Sequence, residues 1–536
     1  MKKTFVYFIL FIAIAQSACK KDFLDRNPLD AYSNSSLWSS QSDALAALYG
    51  CYNGGTDPSS GESGWETDYS IYYLDAVSDN VYSQFYWEGY QDYGNGTVTS
   101  SDGNAYTRWN YKTIQRCNWF LENVDATPMD DTLKAQYKGE ARFLRAYQYF
   151  IMSQLYGDVP LVTTTITTEE ANAVTRTAAA DVRSFIVSEL DTIADILPES
   201  YSGSDVGRIT KGAALALKAR IELFDADYAS AITDYETVMG LGYSLYSSYA
   251  DLFRIGNENN SEVILDVQYK ENDFANWLPG VMATSSQGGW SSLDPTQSIV
   301  DAYEMSNGKT IDETGSGYDA DNPYENRDPR LAASIVYPGQ LYEGFYYNSI
   351  DASSDDYYNG DNNSKTGYLI KKYISNLSED YSDMWNTGLN VIVIRYAEVL
   401  LGYAEAKIEQ NDIDESVYSA IDAVRTRAGM PEVDRTVYNS QSTLRTLVRR
   451  ERRVELAFEG LRWFDIQRWK IGSEVRNGTV YGIRPGTVNA STGAVTYSGD
   501  NISVETRTFN ENRDYLWPVP QSEIDINNSL TQNSGY

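Results

Sequence analysis

Leu133-Lys-Ala-Gln-Tyr-Lys-Gly-Glu-Ala-Arg-Phe-Leu-Arg-Ala-Tyr-Gln-Tyr-Phe-Ile-Met-Ser-Gln-Leu-Tyr-Gly-Asp-Val-Pro160 is the stretch that decides the fold. Tyr137, Ala141, Leu144, Ala146, Tyr149 and Leu155 recur at helical spacings, so a long helix is predicted from Leu133 to Leu155. Gly157, followed closely by Pro160, stops it. The same period appears on both sides. Trp38–Tyr52 carries Ala44, Leu45, Leu48 and Cys51 on one stripe, and Thr107–Asn123 is periodic as well.

Two downstream segments read as helix pairs. In Gly212–Gly242, Leu215, Ala219, Leu223, Ala231, Tyr235 and Val238 fall where a tetratricopeptide unit places its small and bulky packing residues. The twelve-residue step from Ala219 to Ala231 fits that unit, while Ala404 to Ala420 in Val393–Ala428 is a step of sixteen and needs a longer turn. Gly- and Ser-rich stretches at Gly54–Gly64, Gly94–Gly103, Ser285–Ser292, Gly315–Pro323 and Ser353–Gly367 are predicted loops, and Thr479–Thr506 leans toward strand. No Pro-rich linker divides the chain. The expected fold is mostly α, with tetratricopeptide-like helix pairs as scaffold, large irregular loop insertions and few short strands, in a single domain over 19–536.

Composition removes whole classes of function. The 43 Lys and Arg against 75 Asp and Glu give a net charge of −32, which repels phosphate backbones and anionic headgroups, so no nucleic-acid partner is expected. The absence of histidine excludes a Ser-His-Asp triad, a Cys-His pair and the HExxH zinc site. Three cysteines make neither a Cys₄ zinc site nor a disulfide scaffold. Asp351-Ala-Ser-Ser-Asp355-Asp356 and Asp319-Ala-Asp321 lack the calcium-loop spacing. No cofactor is expected, and a structural Ca²⁺ is left open.

The chain begins with an address. Lys2 and Lys3 precede an apolar run from Phe5 to Ala15, too short to span a bilayer and of the length of a secretory segment. Gln16-Ser-Ala-Cys19 is similar to a bacterial lipobox, with Gln16 where Leu is usual. Residues 1–18 are therefore expected to be a lipoprotein signal peptide and Cys19 the lipidated residue. Cys51 and Cys117 either pair or remain thiols.

Tyrosine dominates the aromatics, with 44 copies beside 16 Phe and 11 Trp, and suits surfaces that are sticky and wet together. A binding surface of that kind needs aromatic plates beside carboxylates, amides or Arg, best carried on loops. Trp65–Tyr93 holds ten aromatics in 29 residues, interleaved with Asp68, Asp75, Asp79 and Asn80. Trp65 and Trp87, in polar company, and Asp79 are the candidates there, whereas Tyr69, Tyr72 and Tyr73 sit at helical spacing and suit a core equally well. Trp277 and Trp290, flanking Gly280, Gly288 and Gly289, are a second pair, and Tyr342–Tyr358 a third aromatic stretch.

Glu140-Ala-Arg-Phe-Leu-Arg-Ala-Tyr147 through Tyr156-Gly-Asp-Val-Pro-Leu-Val162 resembles the signature of the SusD/RagB family of outer-membrane lipoproteins. Five further blocks agree in order: the opening Lys20-Lys-Asp-Phe-Leu-Asp25, Gly207–Arg220, Asn326-Arg-Asp-Pro-Arg330, Arg449–Trp469, and the closing Tyr515–Ile524 with Gln532–Tyr536. The resemblance implies a surface-exposed lipoprotein, anchored in the outer membrane and facing outward, that captures oligo- or polysaccharide for a partner SusC-like TonB-dependent transporter and is not an enzyme. Peptide binding is the alternative within the family. A glycoside hydrolase is the enzymatic rival, since paired carboxylates are the one catalytic set this composition permits. In Arg449–Glu455 the alternation of Arg with Glu451 and Glu455 predicts opposite-charge pairs along one helix, a structural role rather than a ligand site.

Overall fold

The structure, a computed structural model, describes residues 38–53, 71–102 and 108–536. Cys19, Trp65 and the predicted loop at 54–64 lie outside them. Ten helices of eight or more residues are present among the described residues: α1 (Gln41–Asn53), α2 (Lys112–Asn123), α3 (Asp131–Tyr156), α4 (Ala179–Ala194), α5 (Lys211–Phe224), α6 (Tyr228–Met239), α7 (Tyr396–Glu409), α8 (Glu415–Arg427), α9 (Gln441–Glu455) and α10 (Arg462–Trp469). The decisive stretch is α3. Asp130 caps it, accepting a bond from the Leu133 N–H at 3.0 Å. Gly157 ends it with a φ of 72°, a conformation that favours glycine. From Ala141 onward almost every side chain of α3 is buried, so this helix is the axis of the scaffold rather than a surface element.

The helices then pack in chain order: α2 on α3, α3 on α4, α4 on α5, α5 on α6, α6 on α7, and α7 on both α8 and α9. Ala219, Ala231, Ala404 and Ala420 are all buried, as the helix-pair pattern requires. Gly402 lets α7 approach α6: a Cβ there would stand 2.5 Å from the Tyr235 ring. The predicted start of α2 at Thr107 comes five residues early, because Asn110 turns the chain first, its side chain accepting from the Lys112 N–H.

Strands are few and form six two-stranded ribbons among the described residues. Three matter here. β1 (Val81–Ser83) pairs antiparallel with β3 (Leu293–Pro295), placing Tyr82 opposite Asp294. β2 (Val263–Val267) pairs with β4 (Val391–Arg395). β5 (Gly478–Tyr481) pairs with β6 (Ser503–Arg507), inside the segment read as strand material.

The basic helix α9 differs from expectation in one respect. Its charges pair across elements rather than along the helix. Glu451 binds Arg330 and Arg425, and Glu455 binds Arg330, Arg395 and Arg427. Arg449, Arg450 and Arg452 reach Glu409, Glu304 and Asp465. Buried charges need hydrogen-bonded partners at close range, and facing elements supply them better than a neighbour on the same helix. Cys51 and Cys117 are buried free thiols on α1 and α2, and the Cys117 thiol together with burial pushes Cys51 well above the ordinary thiol range.

Candidate functional site

The aromatic-rich segment divides into two layers. Tyr72, Tyr73, Tyr90 and Tyr93 belong to the core, Tyr72 stacked on Tyr373 with ring centroids 4.6 Å apart. Tyr86 and Trp87 emerge from it on a single 3₁₀ turn, 70% and 53% exposed. The Trp87 indole lies against Phe85 at 4.4 Å and 27°, which fixes its plane, and Tyr86 meets it edge-on at 5.5 Å. Glu88, next in sequence, is drawn inward, its carboxyl accepting from the Tyr73 hydroxyl at 3.0 Å and pushed up by burial to about 7.

Gln84 carries this turn to the second predicted pair. Its Nε2 donates to the carbonyls of Trp290 and Ser291, both at 2.6 Å, and its backbone N–H to Ser292 at 3.2 Å. Trp290 is 40% exposed and rests on Trp385, centroids 4.6 Å apart at 54°. Trp385 in turn donates from Nε1 to the Gly288 carbonyl at 3.3 Å. Gly280 is glycine because of this indole: a Cβ would stand 2.5 Å from its ring. The same glycine accepts from the Trp290 N–H and donates to the Met384 carbonyl, at 3.0 and 3.1 Å.

Trp277, 53% exposed, occupies the N-cap of a one-turn helix over Leu278–Met282. Asn276 ties it to the Trp385 segment through a two-way backbone bridge with Thr387, at 2.9 and 3.1 Å. The third aromatic stretch supports these loops from below. Asp356 is buried and accepts from Thr284 Oγ1 at 2.8 Å and Ser286 Oγ at 2.9 Å, while Tyr342 and Tyr347 are buried. Trp87, Trp277 and Trp290 are thus borne by loops that interlock, with Trp385 and Gln84 as members that the sequence reading did not select. Trp385 had the signal that singled out Trp87, an indole in polar company at Asp383-Met-Trp-Asn-Thr387. Gln84 had none.

Asp79 is placed differently. It is nearly buried, with Arg453 Nη2 at 2.9 Å and Arg462 Nε at 2.8 Å. Burial would raise its carboxyl, but the two guanidiniums outweigh it and hold the group well below the usual carboxylate range. Its oxygens serve the α9–α10 junction, where internal charge pairing takes a carboxylate that the sequence offered to ligand hydroxyls. Asp79 also borders a cavity of about 680 Å³ beside the β5–β6 ribbon. Trp65 lies outside the described residues. Among those residues no group of three or more acidic or cysteine side chains is arranged to hold a metal, and no helix is long and apolar enough to cross a membrane.

The profile of the SusD family matches residues 252–536, and a second, described as starch-binding and associating with the outer membrane, matches 22–223. Over its whole length the chain is 25% identical to SusD-like protein P2 of Formosa agariphila, covering all of that protein. It is 24% identical to the starch-binding protein SusD of Bacteroides thetaiotaomicron over 84% of this chain and 82% of that one. A crystal structure of a SusD-like carbohydrate binding protein from Bacteroides fragilis superposes with a TM-score of 0.81 at 32% identity, over 92% of this chain and 100% of that chain. A laminarin binding SusD-like protein shares the fold, with a TM-score of 0.70 at 22% identity over 93% of this chain and all of the other. The helical scaffold, its loop-borne indoles and these matches agree: the chain belongs to the SusD/RagB family.

Proposed function

We propose that this chain is a glycan-binding lipoprotein of the outer membrane. Its loop indoles stack on sugar faces, and it passes the oligosaccharide to a TonB-dependent transporter without altering it. The observation that carries the reading is the exposure of Trp87, Trp277 and Trp290 on interlocked loops, held by the Gln84 side chain, by backbone bonds and by stacking on Phe85 and Trp385. An indole plate matches the apolar face of a pyranose, and the carbonyls and amides around it suit hydroxyls. Support for the ligand class comes from the matched family description and from relatives whose names state starch, laminarin or surface-glycan binding. The lipobox-like Gln16–Cys19 segment supports anchoring through Cys19. Affinity should be modest, since each sugar hydroxyl exchanges bonds with water for bonds with protein at a net gain of about 1 kcal/mol or less.

The test is calorimetry of the chain from Lys20 against a panel of neutral polysaccharides and oligopeptides, with each mixture analysed afterwards for new reducing ends. Glycan binding that Trp290→Ala abolishes, with the sugar intact, is the expected result. Binding of peptide alone moves the ligand class, and cleavage overturns the non-catalytic reading.

A further inference from the structure

Arg476 lines the 680 Å³ cavity beside the β5–β6 ribbon and is only 2% exposed. Its guanidinium lies between the rings of Trp463 and Phe509, 4.9 and 5.1 Å from their centroids. Nη2 donates to the backbone carbonyls of Tyr93 and Gly94. Nε and Nη1 have no hydrogen-bond partner, Nε being shut off from solvent and Nη1 not, and no carboxylate forms an ion pair with this side chain among the described residues. In a protein of net charge −32 an unpaired buried cation is an anomaly.

The surrounding charges do not remove it. Arg507, also buried and in the cavity wall, spends its Nε on Glu505 at 2.6 Å and its remaining nitrogens on the Ser78 and Val81 carbonyls. Asp79 is occupied by Arg453 and Arg462. Asp301 receives a bond from Gln297 at 2.7 Å, and burial raises its carboxyl. Asp514 attracts Arg476 without bonding to it, and Asp500 stands exposed in the wall. Burial first, and the charge of Arg507 second, push Arg476 down to about 9, as expected of a cation lacking its counter-ion. The rest of the wall leaves a few groups free for a sugar: the Thr479 hydroxyl, Asn501 Oδ1 and the ring face of Tyr481, 47% exposed, whereas Gln297 and Asn477 spend their amides on Asp301, Tyr368, Ser473 and Phe509. The volume is within the range of small-ligand sites, roughly 300–1,000 Å³.

We propose that this cavity is a second saccharide site, distinct from the indole loops, which takes an acidic sugar with its carboxylate or sulfate on Arg476 Nη1. The inference rests on the glycan-binding reading. A charge-assisted bond to a desolvated guanidinium is among the strongest polar contacts available, and here the ligand would bring the missing counter-ion. The protein's overall negative charge acts only weakly against it, because fields from exposed charges fade over about 8 Å at physiological ionic strength.

Calorimetry of the mature protein would compare a uronic-acid oligosaccharide, the same oligosaccharide with its carboxylates reduced, a sulfated oligosaccharide and inorganic sulfate. The acidic sugars are expected to bind at least about tenfold more tightly than the reduced one, as one charged hydrogen bond allows. Thr479→Glu, on an exposed strand position of the cavity wall, should cancel that preference while leaving the fold intact. Arg476→Gln should do the same, provided it folds. Trp290→Ala should lose the reduced oligosaccharide and keep the preference for the acidic one. Equal binding of charged and reduced sugars, or a preference that survives Thr479→Glu, overturns the site while leaving the indole reading standing. Sulfate bound as tightly as the sugars overturns the saccharide assignment.

Discussion

Gly280, Trp290 and Trp385 form one mechanical unit, in which a glycine leaves room for one indole and that indole supports the other. Trp290→Ala should lower affinity for neutral glycan by at least about tenfold, the usual cost of truncating an aromatic anchor. Gly280→Ala is the subtler test: its Cβ would displace the Trp385 ring, so binding should weaken although residue 280 itself is buried, and circular dichroism should be unchanged. Unaltered binding would show that Trp385 does not set the Trp290 plane. At this scale the sequence was partly legible. Exposed indoles betray themselves by their neighbours: polar company singled out Trp87, and flanking glycines singled out Trp277 and Trp290. Asp79 was misplaced because a carboxylate looks the same in sequence whether it faces solvent or two guanidiniums 374 and 383 residues away.

The helices were legible where burial imposes a period. α3, the α5–α6 pair and the α7–α8 pair sit where their apolar stripes put them, because one face of each must be covered. Their mutual contacts were not legible, since spacing along one helix carries no information about what lies opposite. The close contact of α7 with α6 at Gly402 is an instance. Gly402→Ala should destabilise the protein by about 1–3 kcal/mol through overpacking against Tyr235, read as a lower urea midpoint with an unchanged slope. Glu455→Gln should cost more, about 3–5 kcal/mol, because it removes the charge that Arg330, Arg395 and Arg427 share. A cost below about 1 kcal/mol for Glu455→Gln would show that α9 is held by packing rather than by its ions.

The whole molecule carries two opposed sets of carboxyls. Burial pushes Asp75, Glu88 and Glu258 up to about 7 and Asp266 to about 6. These groups fold protonated and titrate near pH 4 when unfolded, so stability is lost as pH rises from about 4 to about 7. Glu455 is the reverse case: burial is outweighed by Arg427, Arg395 and Arg330, its carboxyl is depressed, and its contribution is lost as pH falls below about 4. The melting temperature should therefore peak near pH about 5 and decline on both sides, and salt should raise it at pH 7 by screening the net charge of −32. Scanning calorimetry at fixed ionic strength decides this, and a melting temperature that climbs steadily from pH 5 to 7.5 would contradict it.

The clasp between Gln84 and Trp290 spans 206 residues of chain. Helical hairpins such as α5–α6 close over short loops and form early, whereas contacts between segments this distant wait until most of the chain has been ordered. A folding intermediate with its helices already in place would therefore still lack the joined indole loops. If the indole loops are the glycan site, sugar affinity is a reporter of completed folding.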